Sequence, residues 1–293
     1  MTNDANVLDK YREAGRILKA VREAAAGRVV KGARMLDVAE AIEADIREKG
    51  GQPAFPVNIS LDDEAAHDTP GPDDQRVFED NIVKLDIGVH VDGYVADTAI
   101  TVDLKGDPNL LKASEKALEE AIKVVKAGVS TSEIGEVIER SIEGFGLKPV
   151  YNLTGHGLEQ YVQHAPPAIP NKRIGTGVKL VAGQVIAIEP FATDGIGLVK
   201  EGELVEIFGL THQKPVRMPA ERDMLKAIVQ FNGLPFAKRW VAGQKRAEAT
   251  LNSLARAGII HAYPVLVEER GGMVSQAEHT MIVTEDGCEV TTR

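Results

Sequence analysis

The sequence contains very little cysteine and few aromatic residues. Cys288 is the one cysteine among 293 residues, and aromatic side chains make up 4% of the chain. A single cysteine excludes an intramolecular disulfide framework and suits a reducing compartment. No apolar run approaches the roughly 18–20 residues of a membrane span, and the polar start MTNDANVLDKYREAG lacks an apolar signal core. These absences predict a soluble, cytoplasmic protein that does not enter a membrane.

The chain is acidic overall but has one basic segment. Its formal net charge of -10 argues against wrapping nucleic acid with the whole surface. Between His212 and Arg270, however, ten Lys or Arg stand against five Asp or Glu, a net of +5. A solvated basic face is the simpler interpretation of this segment, and a surface that binds phosphate groups is the alternative.

Two helical stretches resemble each other at a fixed offset of 96 residues. GARMLDVAEAIEADIREKG begins at Gly32 and GVSTSEIGEVIERSIEGFG at Gly128, and glycines bracket both copies. Apolar residues every four positions give each stretch a one-sided stripe, as amphipathic helices require. The shared glycines favour an internal duplication, and a fold of two similar halves tends to place its site at the seam between them.

The order of elements predicts an α+β fold. Strand-like segments at Ile82–Val89, Val95–Val102, Val185–Ile188 and Met281–Val283 follow the helices as hairpins. Because this order is not a regular βαβ alternation, an antiparallel sheet flanked by helices is expected. Helical patterns at 220–230 and 244–257, followed by an apolar run at 259–267, indicate a small inserted subdomain of winged-helix type.

The most informative segment is IVKLDIGVHVDGYVADTAITV. Asp92-Gly93 is a strong two-residue hairpin signal between alternating strands. With those residues as the turn, Gly88 faces Asp97 and Asp86 lies on the same face, two residues earlier. Asp86 and Asp97 are then diagonal neighbours roughly 7–8 Å apart at the backbone. Their carboxylates can converge on a common ion.

A solvated face is the alternative for this hairpin. Lys84 has the same parity as Asp86, so both aspartates could point to water together with that lysine. Burial, by contrast, is costly for a carboxylate unless a cation or metal pairs with it.

Three further candidates lie in other strands and loops. His156 stands between glycines in TGHG, Glu189 ends the apolar run VIAIEP, and Glu278 lies in QAEHT. Since Glu278 and His279 must point to opposite faces, periodicity alone leaves open which of them joins a site. Four carboxylates and one imidazole suit a pair of divalent ions of the Mn, Fe, Co or Zn kind, which activates water for peptide hydrolysis.

The motifs KLDIGVHVDGYVADTA, GHGLEQYVQHAPP, AIEPF and QAEHT, in this order, resemble those of the type 2 methionine aminopeptidases. The resemblance extends over nearly the whole chain and implies the pita-bread fold, with internal pseudo-two-fold symmetry and a helical insertion. On this basis residues 1–293 form a single catalytic domain, with 212–270 inserted in it. The spacing of Glu189 and Glu278 fits type 2, and the lack of a long charged N-terminal extension is archaeal in style.

The resemblance also implies a role for each metal ligand. Asp86 is similar to the ligand of the second metal, and Asp97 and Glu278 to the two bridging carboxylates. His156 and Glu189 look like the ligands of the first metal. By this resemblance Glu278, and not His279, belongs to the site.

Substrate contacts are implied in the same way. His67 resembles the histidine near the substrate amine and scissile peptide, and His164 the one near the carbonyl oxygen. Glu278 also resembles the residue that shuttles the proton of water. Phe55 and Tyr263 look like walls of the methionine pocket.

The implied function is removal of the N-terminal methionine from nascent polypeptides by a monomeric enzyme with two divalent ions, favouring a small second residue. The basic insertion could hold the enzyme against ribosomal RNA. A pita-bread Xaa-Pro peptidase, such as prolidase, and a non-catalytic module that binds RNA or protein are the alternatives. The first ligand candidate at Asp86 leaves little room for the leading domain of an Xaa-Pro peptidase, and the non-catalytic relatives typically lose metal ligands.

Overall fold

Four of the six α-helices that the described residues of the computed structural model form lie close to the periodic segments that predict them, and the helices at Ala5–Ala26 and Pro108–Val124 were not predicted. The structure describes residues 4–212 and 214–293. Residues 1–3 and Gln213, which belong to the predicted domain ranges, lie outside the described residues. None of the described helices is long and apolar enough to cross a membrane. The α-helices are α1 (Ala5–Ala26), α2 (Met35–Glu48), α3 (Pro108–Val124), α4 (Thr131–Glu143), α5 (Pro219–Ile228) and α6 (Ala247–Arg256).

Strands in the described ranges pair antiparallel throughout, as predicted. They are β1 (Gln52–Pro53), β2 (Asn58–Leu61), β3 (Glu64–Ala66), β4 (Ile82–Val91), β5 (Tyr94–Asp103), β6 (Lys148–Pro149), β7 (Thr154–Glu159), β8 (Val162–Pro170), β9 (Val185–Ile188), β10 (Phe191–Thr193), β11 (Val199–Leu210), β12 (Phe236–Ala237), β13 (Ile260–Glu268), β14 (Val274–Gln276), β15 (His279–Val283) and β16 (Cys288–Val290).

The two halves of the molecule repeat the same local structure. Gly32, Gly50, Gly128 and Gly146, which bracket α2 and α4, all have positive φ, a conformation that favours glycine. Equivalent backbone contacts recur at the start of each helix: Gly32 N to Phe78 O and Gly128 N to Leu180 O, both 2.8 Å, and the bridges Arg34–Val77 and Ser130–Lys179. The helix duplication predicted at an offset of 96 residues therefore corresponds to a duplicated structure.

Each half has its own hydrophobic core. Val38, Ile42 and Ile46 of α2 pack into the first core, against α1 and the strands β2, β4 and β5. The matching isoleucines of α4 pack into the second core, against α3 and the strands β9 and β15. The apolar stripe of each helix faces the sheet of its own half. The two sheets therefore meet along a boundary that the helices leave uncovered.

The hairpin forms with the register that the sequence predicts. Gly88 pairs with Asp97 and Asp86 with Ala99, and both turn residues, Asp92 and Gly93, have positive φ. The alternative of a solvated face is wrong, because Lys84 is fully buried and donates to the backbone oxygen of Asp62 at 2.8 Å. Asp86 and Asp97 therefore lie on an interior face.

The segment with basic composition packs as two helices against a β-ribbon. Helices α5 and α6 bury Met224, Ile228, Leu251 and Leu254 against β11, β12 and β13. Both helices begin within a few residues of the predicted starts. Strand β13 also pairs with β3, which joins this ribbon to the first half of the chain.

Glu268, at the end of β13, binds two loops through its carboxylate. Its oxygens accept hydrogen bonds from the backbone N–H groups of Ile196 (2.6 Å), Gly197 (3.2 Å), Arg270 (2.8 Å) and Gly272 (3.0 Å). Burial raises the pKa of this carboxyl, but the four backbone donors outweigh burial and lower the pKa below its ordinary value. The ionised form is therefore part of the folded structure.

Glu268→Gln is expected to reduce the free energy of unfolding at pH 7 by about 2–3 kcal/mol, because the amide has a single acceptor oxygen. Two of the four hydrogen bonds become neutral, and the other two are lost at the NH2 group, which cannot accept. The folded-state pKa is lowered, so this contribution is present above the unfolded pKa of 4.5 and lost as pH falls through the folded-state value. Thermal unfolding from pH 7 to well below pH 4 measures it, because the folded-state pKa lies below 4.5. The difference in stability between Glu268→Gln and wild type should narrow on acidification. Glu269→Gln, at the exposed neighbouring position, should be as stable as wild type.

Candidate metal centre

The five predicted ligands come from both halves of the fold and meet at the seam. Asp86 and Asp97 lie on β4 and β5 of the first half. His156 lies on β7, Glu189 directly follows β9, and Glu278 directly precedes β15, all in the second half. The structure thus brings together residues that are up to 192 positions apart in the sequence.

Hydrogen bonds across the seam hold these strands together. The backbone N–H of Asp97 donates to Thr280 Oγ1 at 2.7 Å, and that hydroxyl donates back to the backbone oxygen of Asp97 at 2.8 Å. Thr98 Oγ1 donates to the backbone oxygen of Glu278 at 2.7 Å, and Glu278 N donates to Ala99 O at 3.0 Å. These bonds fix β5 against β15 and thereby place Asp97 beside Glu278.

The side chains converge closely enough to share an ion. Ligand atoms of Asp97, His156 and Glu278 all lie within 4.8 Å of one another. His156 Nε2 is 3.5 Å from Glu189 Oε1 and 3.8 Å from Asp97 Oδ2. Asp97 and Glu278 are 2% and 1% exposed, so water does not reach them freely.

Several of these oxygens have no hydrogen-bond partner among the described residues. They are Asp86 Oδ1, Asp97 Oδ1 and both carboxylate oxygens of Glu278. Burying such atoms without a partner costs free energy, so carboxylates in this state are usually paired with a cation or a metal ion. The donor set, which is hard and rich in oxygen, fits divalent metal ions.

The carboxyl pKa values reflect the same crowding. Burial raises the pKa of Asp86 to about 6. Burial, and then the charges of Asp86 and Glu189, raises the pKa of Asp97 well above its ordinary value. Burial, and then the charges of Asp97 and Glu189, raises the pKa of Glu278 well above its ordinary value. Like charges in one dry site oppose ionisation, and a bound cation reverses that opposition.

The imidazoles at the site are neutral. Burial, followed by the charge of His164, lowers the pKa of His156 to about 3 and that of His67 to about 4. Burial also lowers the pKa of His164. The ring of His164 stands edge-on to that of His156 with centroids 4.5 Å apart. A neutral His156 keeps a lone pair available for a metal.

The alternative between Glu278 and His279 is decided by their surroundings. Glu278 lines the cavity beside Asp97, whereas His279 Nδ1 lies 2.8 Å from Thr292 Oγ1 and 3.2 Å from Arg22 NH1. Glu278 is therefore the member of the pair that joins the site, in agreement with the resemblance.

A cavity of about 600 Å³ opens beside the ligand cluster, a size usual for small-molecule sites. All five ligand candidates line it, and so do His67 and His164. His67 Nδ1 lies 3.3 Å from the backbone oxygen of Pro264. Seven of the nine predicted site residues thus face one space.

Phe55 and Tyr263 are placed differently. Neither is among the described residues that line the cavity. Phe55 is 2% exposed and packs against Gly88, whose missing Cβ would lie 2.1 Å from the ring. Tyr263 stands edge-on to His67 with ring centroids 5.8 Å apart. Their part in a substrate pocket stays a prediction.

Two glutamines at the site were not found from the sequence. Gln276 Nε2 lies 3.4 Å from both Asp86 Oδ2 and Glu189 Oε2, and Gln163 lines the same cavity as Asp97. Gln276 precedes Glu278 by two residues, so strand alternation could have placed both on one face. Gln163 offers no comparable signal, because β8 meets the site only in the folded chain.

Comparison with known proteins assigns this fold and site to a class. The chain belongs to Metallopeptidase family M24, which it matches over residues 9–285. The methionine aminopeptidase of Archaeoglobus fulgidus is 50% identical over 292 residues, covering 99% of this chain and 100% of that protein. That of Methanocaldococcus jannaschii is 46% identical over 288 residues, covering 97% and 98%. Membership of this family implies the use of divalent metal.

Solved structures share the pita-bread fold. The methionine aminopeptidase of Thermotoga maritima superposes with a TM-score of 0.75 at 22% identity, covering 100% of this chain and 99% of that one. A thermophilic Arx1 gives 0.85 at 18% identity, covering 99% and 91%. Prolidase from Pyrococcus furiosus gives 0.58 at 18% identity, and this chain covers 61% of it. These likenesses concern the fold alone.

Addition of Mn²⁺ or Co²⁺ to metal-free protein is expected to raise the melting temperature. An ion at a hundred times its Kd stabilises by about 3 kcal/mol. Asp97→Asn should abolish this rise, while its metal-free form should be at least as stable as metal-free wild type, because one repelling charge is gone.

Asp92→Asn is the matched control for this measurement. It makes the same change in the same hairpin, at a side chain that is 67% exposed, and should respond to the ions like wild type. Equal responses from Asp97→Asn and wild type would contradict a metal centre at this cluster.

Proposed function

We propose that this chain is a methionine aminopeptidase that removes the N-terminal methionine of polypeptides. The observation that carries the proposal is the cluster of buried carboxylates with unpaired oxygens at the wall of the cavity. Archaeal relatives 41–50% identical over nearly their whole lengths are methionine aminopeptidases, which supports the same activity here.

The type 2 class is part of this proposal. Between Glu189 and Glu278 lie the helices α5 and α6 with their ribbon, the arrangement that the resemblance implies for that class. We assign residues 212–270 to an inserted subdomain and the whole chain, 1–293, to one catalytic domain. Support comes from the separate hydrophobic cluster of the helices and from the pairing of β13 with β3.

Two divalent ions would be held by the five ligands. Asp97 and Glu278 would bridge them, His156 and Glu189 would complete one site, and Asp86 the other. When bound, such ions polarise the scissile carbonyl and make water nucleophilic near neutral pH. Mn, Fe, Co and Zn all accept this donor set, so the choice of metal is left to experiment.

His67 and His164 would contact the substrate. The carbonyl of Pro264 can only accept, so His67 Nδ1 holds the proton and Nε2 keeps a lone pair that can accept from the substrate amine or peptide N–H. His164, on the cavity wall beside His156, would donate to the carbonyl oxygen as negative charge develops on it.

Glu278 would move the proton. Its two carboxylate oxygens have no hydrogen-bond partner among the described residues, so the carboxylate would be available to take a proton from the attacking water. The same carboxyl would then protonate the leaving amine as the peptide bond breaks.

The apolar part of the cavity wall would receive the methionine side chain. Leu153, Phe191 and Leu266 line the cavity on the described surface, together with small residues such as Ala66 and Ala168. Phe191 follows Glu189 by two residues, which brings an apolar ring to the edge of the ligand cluster. Phe55 and Tyr263 do not line the cavity among the described residues, and their role as walls of the methionine pocket rests on the resemblance alone.

Cleavage of Met-Ala-Ser by protein reloaded with Mn, Fe, Co or Zn is the direct test. Release of methionine is expected with at least one metal, and cleavage of an Xaa-Pro peptide should be at least about one hundred times slower, because proline lacks the N–H that the site would bind. Preference for the Xaa-Pro peptide would favour a prolidase-like enzyme. Failure to bind metal or cleave either peptide would favour a non-catalytic binding module.

Substitution of the proton-moving residue gives an independent prediction. Glu278→Ala should lower kcat at least about a thousandfold, in the upper range for loss of a general acid–base group. Circular dichroism should show that folding is retained, since backbone bonds of Glu278, not its side chain, join the seam. A kcat for Glu278→Ala near that of wild type, measured by steady-state kinetics, would contradict the proposed function.

The predicted contact with ribosomal RNA would need exposed cations on the insertion, where Lys238, Arg239, Lys245 and Arg246 are the candidates. Lys238 is paired with Glu206 and Arg239 with Glu43, so neither is free for phosphate. Lys245 and Arg246 are exposed and remain candidates. Co-sedimentation with ribosomes that weakens with salt and with charge reversal of these two residues would support this contact.

A further inference from the structure

The inserted subdomain contacts the catalytic part of the chain at several points, and one of them is a buried guanidinium. Arg239 lies in the short 3-10 helix Lys238–Val241, and its side chain is 4% exposed. It projects toward residues 67–71, which follow β3 and are called here the His67 loop. A charged side chain this deeply buried requires specific acceptors.

Arg239 has acceptors on two separate parts of the fold. One terminal nitrogen donates to Thr69 Oγ1 at 2.7 Å and to the backbone oxygen of Pro70 at 3.0 Å, both in the His67 loop. The other donates to a carboxylate oxygen of Glu43 on α2. The planar guanidinium can serve these directions at once, which a lysine ammonium cannot do with the same geometry.

The acceptors are themselves fixed in place. Glu43 also accepts from Trp240 Nε1 at 2.7 Å and from the backbone N–H of Val57 at 3.3 Å. Thr69 Oγ1, which receives the Arg239 bond, donates to the backbone oxygen of Val57 at 2.7 Å. Arg239 therefore closes a network that joins α2, the start of β2 and the His67 loop.

The His67 loop needs such support because its backbone is strained. His67 has φ of 67°, in the left-handed region that non-glycine residues seldom occupy. Strained residues at functional sites persist only when the surroundings over-determine them. Asp68 contributes through Arg76, and the insertion contributes through the Arg239 bonds and through the oxygen of Pro264, which lies 3.3 Å from His67 Nδ1.

We propose that Arg239 is a positioning residue: it holds the His67 loop so that His67 faces the cavity, and through it the insertion takes part in catalysis. The inference rests on the proposed function for the role of His67. Simple attachment of the insertion would require only the pair with Glu43, whereas two of the three acceptors of Arg239 lie in the loop.

Arg239→Lys separates positioning from attachment. It keeps a cation beside Glu43 but loses the simultaneous bonds to Thr69 and Pro70. In the metal-loaded enzyme, kcat for Met-Ala-Ser is expected to fall about ten- to one-hundredfold, the effect of a small misplacement, with KM changed much less. Amide hydrogen exchange in residues 67–71 should become faster at the same time.

Trp240→Phe is the matched control. It also removes one hydrogen bond to Glu43 from the adjacent residue, yet it leaves both bonds to the His67 loop. Its melting temperature should fall, while kcat and exchange in residues 67–71 should stay as in wild type. Equal kcat and exchange in Arg239→Lys and Trp240→Phe would overturn the proposal.

A double variant guards against loss of folding. Arg239→Met alone leaves Glu43 buried without its partner, so Arg239→Met with Glu43→Gln removes both charges. This protein should fold yet keep a low kcat, because Thr69 and Pro70 still lack their donor. A kcat equal to that of Glu43→Gln alone would refute positioning. If wild type releases no methionine, the proposed function fails, and the exchange comparison still decides whether Arg239 holds the loop.

Discussion

Four carboxylates and an imidazole, all largely buried, line one cavity, and no protein cation lies among the partners of these groups in the described structure. Burial and mutual repulsion raise the carboxyl pKa values, and several oxygens have no hydrogen-bond donor. This arrangement is unfavourable in itself, so the rest of the fold must impose it. A divalent cation would turn the same repulsion into affinity, so this one constraint connects the candidate metal site with the rigidity around it.

Rigidity at the site comes from the meeting of two similar halves. Each half buries its own helices on one side of its strands, which leaves two edges to face each other. Threonine hydroxyls, and not only backbone ladders, join these edges: Thr98 and Thr280 bond directly to the backbone of Glu278 and Asp97. These hydrogen bonds join candidate ligands that are far apart in the sequence. They act at the backbone of the ligands themselves, where a small movement would displace the whole side chain.

Buried charged side chains fix several loops in a second way. Glu268 collects four backbone donors from two loops, and the Arg239–Glu43 network reaches the strained backbone of His67. Both are charged groups that become expensive if one partner is lost. They contribute a unique geometry more than net stability, and through them the β11–β13 ribbon and its helices form part of the site's support.

Local sequence determined the hairpin and the paired helices. The Asp92-Gly93 turn with alternating strands left one register in which Asp86 and Asp97 share a face, and the bracketing glycines marked α2 and α4, because turn geometry and side-chain period act between near neighbours. Tertiary structure alone decided that Lys84 is buried, that Glu278 and not His279 enters the cavity, and that Lys238 and Arg239 are paired internally. Those outcomes depend on which groups from distant segments compete for the same space, and periodicity has no information about that.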